Sequence, residues 1–219
     1  MSNLLKALMD RMLMRPDRMA ELAGRVRDNL SHCRGTGEVE VWATADNLEA
    51  YSDLSVLGQG HFSIAVCFKD EPDVVYKLGL KKEDSGAAYA AWCRANPGPH
   101  VPVIYDMRRY QSCYIVKMPY YHAVEVEDGK VIALANTVLM EEETGLWYNP
   151  ATGCETVFQR DAYRDLPPAL IGTLRSITKF FVGVATFDLH RDNAMWSSTD
   201  KATRRLIITD PVSFRAGYE

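Results

Sequence analysis

No run of apolar residues in this 219-residue chain approaches the roughly 20 needed to span a bilayer, and Lys6, Asp10 and Arg11 interrupt its leucine-rich start. Neither a membrane span nor a secretory signal is expected, so the chain is expected to act where it is made. Positive charge is not in excess either: 25 Lys and Arg face 29 Asp and Glu, a net charge of −4. That balance argues against direct binding to a nucleic-acid backbone. Cysteine is sparse, and Cys33, Cys67, Cys93, Cys113 and Cys154 form no CxxC pair. Their spacing excludes a zinc ribbon or a dithiol redox site and fits buried thiols in a reducing cytosol. Low-complexity tracts and internal repeats are absent too. What is present is 47% hydrophobic and 25% charged residues, enough for a sizeable core in one domain or one domain of two lobes.

Leu4, Leu5, Leu8, Met12 and Leu13 share one helical stripe, Pro16 interrupts it, and Met19, Leu22, Val26 and Leu30 repeat it. Two short amphipathic helices are predicted, with their apolar stripes packed on the body of the protein. Arg34 to Glu38, with two glycines, is the expected hinge. From Leu54, LSVLGQGHFSIAVCFKD alternates and EPDVVYKLGL adds a turn and a β-rich run, which reads as a hairpin. SGAAYAAWCRA predicts a helix, with Asp84 or Ser85 as its cap and NPGP as its stop. Strands are expected at Val101 to Met107 and at Cys113 to Met118. Between Tyr120 and Arg160, turn signals at EDGK and NPATG surround a helix near Asn136 to Glu143. A longer helix is expected from Ala169 to Ala185, where Leu170, Leu174, Ile177, Phe181 and Val184 lie at helical spacing. The loop FDLHRDNAMW and the strand RLIITD follow it.

The chemistry-bearing residues lie in four separated places. Gly58 and Gly60 fall in a predicted strand-turn-strand, Gly58-Gln59-Gly60-His61-Phe62-Ser63, where absent side chains let backbone N–H groups approach an anion; an ordinary hairpin has the same letters. On the next strand, Val75 and Lys77 share a face, so an ammonium projects from an apolar wall beneath that turn. In Asp188-Leu189-His190-Arg191-Asp192-Asn193 a carboxylate precedes an asparagine by five positions, the spacing of a kinase catalytic loop. There the aspartate faces the attacking hydroxyl and the asparagine oxygen reaches back to a metal on the phosphates. RLIITD ends an apolar strand in Asp210, which either ligates Mg²⁺ at the mouth of a cleft or caps a turn before Pro211. The order of these elements is the one a phosphotransferase needs.

The segments LGQGHFS, YKLGLKKEDSGAAYAAWCR, IYDMRRYQSCY, KFFVGVATFDLHRDNAMW and ITDPVSF resemble the protein-kinase-like fold, and more closely the early protein kinases of T7-like bacteriophages, from about Leu57 to Phe214. The resemblance implies an α+β, bilobal kinase-like fold: an N-terminal helical appendage over residues 1–37, a small antiparallel-sheet N-lobe over 38–118, and a reduced, mainly helical C-lobe over 119–219. It implies an ATP- and Mg²⁺-dependent serine/threonine kinase in the cytoplasm of the infected bacterium. Its expected substrates are host proteins, including RNA polymerase and RNA-processing enzymes, with no direct contact to nucleic acid or membrane.

By position, Lys77 resembles the lysine that holds the ATP phosphates, Asp188 the catalytic aspartate, and Asn193 and Asp210 the metal ligands. Gly58, Gln59, Gly60, His61, Phe62 and Ser63 would cover the phosphates, while Met118 and Tyr120, in the stretch Met118 to Tyr121, would form the hinge that meets adenine. Glu83 is the candidate acidic partner of Lys77, although its place at a helix start equally suits a capping role. The chain departs from the general kinase pattern: Thr186 and Phe187 replace the usual His-Arg, Pro211 and Val212 replace Phe-Gly, and no Ala-Pro-Glu element follows. The basic C-terminal extension that some of these phage enzymes carry is not expected here. Two alternatives stand beside this reading, a small-molecule phosphotransferase and a catalytically weak kinase-like protein that acts by binding a host factor. Ser213, three residues beyond Asp210, is a candidate self-modification site. His61 and His190 are read as local hydrogen-bonding groups.

Overall fold

The computed structural model describes residues 17–30, 38–60, 62–80, 85–111, 113–144, 146–149, 154–157 and 165–214. Helix α1 (Arg18–Leu30) buries Met19, Leu22, Ala23 and Val26, whose spacing places them on one face. That face joins Val41, Ala45 and Leu48 of α2 (Glu38–Glu49) over a five-stranded antiparallel sheet. The strands are β1 (Leu54–Gln59), β2 (Ser63–Phe68), β3 (Val74–Gly79), β4 (Asp106–Arg109) and β5 (Tyr114–Pro119), in the spatial order β1-β2-β3-β5-β4. Alternation along the strands sends Ile64, Val66, Phe68, Tyr76, Leu78 and Ile115 into the same cluster as the two helices. Arg25 forks onto Asp53 at 2.9 and 2.8 Å with its guanidinium 4.3 Å from the Tyr51 ring, and Arg18 lies 4.2 Å from the Phe68 ring. The second predicted stripe is thus part of the sheet's own core; the first, Leu4 to Leu13, lies outside the described residues. Helix α2 has no counterpart in the sequence reading, because two of its buried positions, Thr44 and Ala45, carry little apolar signal and its large apolar Trp42 is 58% exposed.

Helix α3 (Ser85–Ala95) lies within the predicted span and is buried at Ser85, Gly86, Ala87, Tyr89, Ala90, Trp92 and Cys93, its small residues allowing neighbours close on several sides. Ala87 and Ala90 pack on Tyr114 and Val116 from the other face of the sheet. Helices α4 (Gly129–Thr144) and α5 (Pro168–Phe181) meet in a second core, in which Ile132, Ala135, Val138 and Leu139 join Leu170, Leu174, Ile177 and Phe181. Tyr89, Trp92 and Cys93 of α3 belong to that core as well. Around it run β6 (His122–Ala123), β7 (Leu146–Asn149), β8 (Cys154–Val157), β9 (Ala185–Phe187), β10 (Ala194–Trp196), β11 (Leu206–Ile208) and β12 (Val212–Phe214). These pair as β11-β10-β6, β12-β9 and β7-β8, so the whole is a mixed α+β structure.

The structure shortens the helix expected to reach Ala185. It ends at Phe181, Gly183 takes φ +80°, and Ala185–Phe187 turns out as a strand paired with β12. Val184, expected on the buried stripe, is consequently 64% exposed. The strand expected at Val101 to Met107 is shifted to Asp106–Arg109, and the helix expected near Asn136 to Glu143 is longer, starting at Gly129.

Candidate functional site

Gly58 and Gly60 lie where β1 turns into β2. The ladder shifts register between Val56 and Gly58, and the Gly60 N–H donates to the Ser63 carbonyl at 2.8 Å. Neither glycine has a positive φ, so backbone conformation does not demand glycine there. A Cβ at Gly58 would meet nothing within 4 Å, and one at Gly60 only the Ser63 hydroxyl at 4.0 Å. What the missing side chains provide is open space above the turn, lined by exposed Gly58, Gln59 and Gly60 and by half-buried Phe62 and Ser63. His61 lies outside the described residues.

Lys77 sits in the middle of β3, opposite Ala65 of β2 and Val116 of β5. Its neighbours Tyr76 and Leu78 turn into the core beneath α1 and α2, so Lys77 leaves from the opposite face, the one that α3 covers. There its Nζ meets Oδ2 of Asp210 at 2.6 Å, across 133 positions of sequence. The two side chains are 18% and 29% exposed, partly withdrawn from bulk solvent.

Asp210, Asp188 and Asn193 are tied together by main-chain bonds. The N–H groups of Thr209 and Asp210 both donate to the Asn193 carbonyl, at 3.0 and 3.1 Å, and the Asp188 N–H donates to the Pro211 carbonyl at 2.9 Å. A single 3₁₀ turn, Arg191–Asn193, accounts for the five-residue offset: it folds the Asn193 amide back so that Nδ2 donates to the Asp188 carbonyl at 2.6 Å. His190 caps the start of the same turn, its Nδ1 accepting from the Asp192 N–H at 3.2 Å and its Nε2 2.9 Å from Asn193 Nδ2. The Asp188 carboxylate is 58% exposed and open to an incoming group, with His190 Nε2 3.8 Å away.

The donor set fits a magnesium nucleotide. Asp210 Oδ1 is buried without a hydrogen-bond partner, a situation that costs about 1–3 kcal/mol and that a cation would relieve. Asn193 spends its amide nitrogen on Asp188, which leaves its oxygen for a ligand. One carboxylate and one amide oxygen are a Mg²⁺ site of the kind completed by phosphate oxygens and water. Among the described residues no group of three His, Cys, Asp or Glu side chains is placed to hold a metal by itself.

Of the other predicted residues, Met118 lies on the Lys77 face of the sheet, packed with Ala87, Ala90 and Val116. Tyr120 follows β5, 41% exposed, with its N–H on the Asp73 carbonyl at 2.8 Å and its ring edge-on to His122. Glu83 lies outside the described residues, and α3 itself, SGAAYAAWCRA, contains no carboxylate. Ser213 is half-buried in β12, its Oγ 3.0 Å from Thr186 Oγ1 of β9. Two buried groups at the site escaped the sequence reading: Ser85, seen there only as a cap, and Tyr89. Burial pushes the Tyr89 phenol well above its usual range and the neighbouring Cys93 thiol up to about 12, so both stay neutral beside the Lys77–Asp210 pair.

Residues 8–219 match the profile of the family described as bacteriophage T7 protein kinase 0.7. The chain belongs to this family. The meeting of Lys77 with the 188–210 segment is the place in this chain where chemistry-bearing residues converge. No curated protein matches the chain by sequence. Among solved structures, a crystal structure of Rad53 1-466 in complex with AMP-PNP is similar at 14% identity and a TM-score of 0.39, over 77% of this chain and 42% of that one. The chain thus spans about two fifths of the length of that structure. Among its described residues no helix is long and apolar enough to cross a membrane.

Proposed function

We propose that this phage kinase transfers the γ-phosphoryl group of ATP to serine or threonine hydroxyls of host bacterial proteins, including transcription and RNA-processing machinery, in the cytoplasm of the infected cell. The observation that carries the reading is the 2.6 Å contact of Lys77 with Asp210, which brings the strand lysine to the segment that also holds Asp188 and Asn193. The sheet and the α4–α5 core would act as the two kinase lobes, with the nucleotide between them. Asp188 accepts a hydrogen bond from the acceptor hydroxyl, aims its oxygen at the γ-phosphorus and takes its proton as the new P–O bond forms and the bond from the γ-phosphorus to the bridging oxygen breaks, ADP leaving with that oxygen's electron pair. Lys77 holds the phosphates, the main chain from Gly58 to Ser63 shields them from water, and Met118 and Tyr120 meet the adenine. Asp210 and Asn193 would hold Mg²⁺, which supplies charge neutralisation on the phosphates when bound. The site thus works by positioning and electrostatics.

The test is transfer of radiolabelled γ-phosphate to proteins of a bacterial lysate. Asp188→Asn and Asp210→Asn are each expected to lower labelling by at least about 10³-fold, Asp188→Asn melting near the wild-type temperature and Asp210→Asn, which breaks the Lys77 pair, about 3–6 °C below it. Labelling at the wild-type level by either variant would remove the mechanism. Ser213 is the proposed self-modification site, and a phosphate there must displace the Thr186 hydroxyl contact. Intact-mass analysis after incubation with ATP and Mg²⁺ is expected to show one added phosphate that Ser213→Ala removes; its persistence in that variant would discard the site.

A further inference from the structure

Helix α3 lies against the segment that carries Asp210, yet it brings no carboxylate to Lys77. What it brings instead are two hydroxyls. Ser85 Oγ donates to the Val212 carbonyl at 3.0 Å and Tyr89 OH donates to the Ile208 carbonyl at 2.7 Å; both bonds are buried. Ser85 and Tyr89 are four residues apart on one helix face, and their acceptors lie two residues on either side of Asp210.

We infer that Ser85 and Tyr89 are positioning residues that fasten α3 to the main chain on both sides of Asp210 and so set the place of its carboxylate. Between the two fastened carbonyls, Asp210 has three further restraints: its N–H and that of Thr209 on the Asn193 carbonyl, and Oδ2 on Lys77. With these in place Oδ1 is held buried and unpaired, aimed rather than free to rotate toward solvent. Without the hydroxyls, the Ile208 and Val212 carbonyls lose their partners from the helix, and the segment has freedom to shift by the fraction of an ångström that matters at a metal-binding carboxylate. Trp92 and Phe181 flank the Tyr89 ring, so deletion of the hydroxyl alone leaves the packing in place.

This inference rests on the proposed function only in assigning Asp210 to the metal nucleotide; the fastening itself is a property of the free protein. Tyr89→Phe and Ser85→Ala are therefore compared with wild type and with Ser85→Thr, which keeps a hydroxyl. In the free protein, hydrogen exchange at the Thr209 and Asp210 amides is expected to quicken by about tenfold in Tyr89→Phe and Ser85→Ala and to remain as in wild type in Ser85→Thr. With AMP-PNP and Mn²⁺ as probe, electron paramagnetic resonance is expected to show metal affinity about tenfold weaker in the same two variants, with nucleotide affinity in the absence of metal unchanged. Wild-type exchange rates in both hydroxyl-deleted variants would overturn the inference, as would restoration by neither Ser85→Thr nor any other hydroxyl-bearing residue. If wild type itself binds no Mn²⁺-nucleotide, the functional reading fails, and the exchange rates alone decide the fastening.

Discussion

Replacing Lys77 by methionine keeps the length and much of the apolar stem of the side chain and deletes its charge. At the observed 2.6 Å, opposite unit charges in an effective dielectric near 20 attract by about 6 kcal/mol before desolvation is counted. Because the pair is 18% and 29% exposed, solvent screening and the cost of removing both charges from water cancel most of that. The net loss of stability is expected to be about 1–2 kcal/mol, or a fall in melting temperature of about 3–6 °C for a chain of this size. The catalytic loss is expected to be far greater. An ammonium about 4 Å from a phosphate oxygen contributes about 4 kcal/mol in the same dielectric, which corresponds to about 10³ in rate. Initial rates of labelled phosphate transfer would be measured for Lys77→Met, Asp210→Asn and the double variant, each checked by thermal melting. Since the two side chains act on one bound nucleotide, the double variant is expected to be little slower than the worse single variant. A Lys77→Met enzyme within about tenfold of wild type, or a double variant showing the full product of the two losses, would refute a joint role for the pair.

Two further predictions concern the frame that holds the site. In the β3–β5 register Gly79 faces Tyr114, and a Cβ there would stand 1.8 Å from Tyr114 Cε1, inside a fully buried ring. Gly79→Ala is expected to cost about 3 kcal/mol in a denaturant titration, and an unchanged midpoint would show that the two strands lie farther apart than described. His100 is 4% exposed with Nδ1 2.7 Å from the Leu206 carbonyl, and burial lowers its proton affinity below that of a free imidazole. The unfolded chain therefore binds a proton at His100 more readily than the folded one; the neutral side chain's contribution is present above about pH 6.5 and is lost as pH falls through the folded value. Melting temperatures from about pH 8 to pH 5 are expected to decline less steeply in His100→Asn, which keeps a donor near Leu206; equal slopes would refute the assignment.

Much of the candidate site was legible because its determinants are local. The offset of five between Asp188 and Asn193 is the reach of one 3₁₀ turn, and alternation along VVYK is enough to put Lys77 on the face opposite Tyr76 and Leu78. The amphipathic stripe of α1 and the helix at Ser85–Ala95 were legible for the same reason. Helix α2 was not, since two of its buried positions are Thr44 and Ala45 while its Trp42 faces solvent, and neither was the end of α5, where one glycine at φ +80° overrides a continuing apolar period.

Local periodicity and spacing along the chain thus set which segments became helices or strands and which polar residues were set apart from the core. They carried no information on the 133-residue separation that closes to 2.6 Å between Lys77 and Asp210, or on the choice of Ile208 and Val212 as acceptors for Tyr89 and Ser85. Those partners were chosen by packing. A buried hydroxyl takes whichever unpaired carbonyl the folded neighbours bring within reach, and a partly buried ammonium takes whichever carboxylate they leave facing it. Such pairings exist only after distant segments have been excluded from water together.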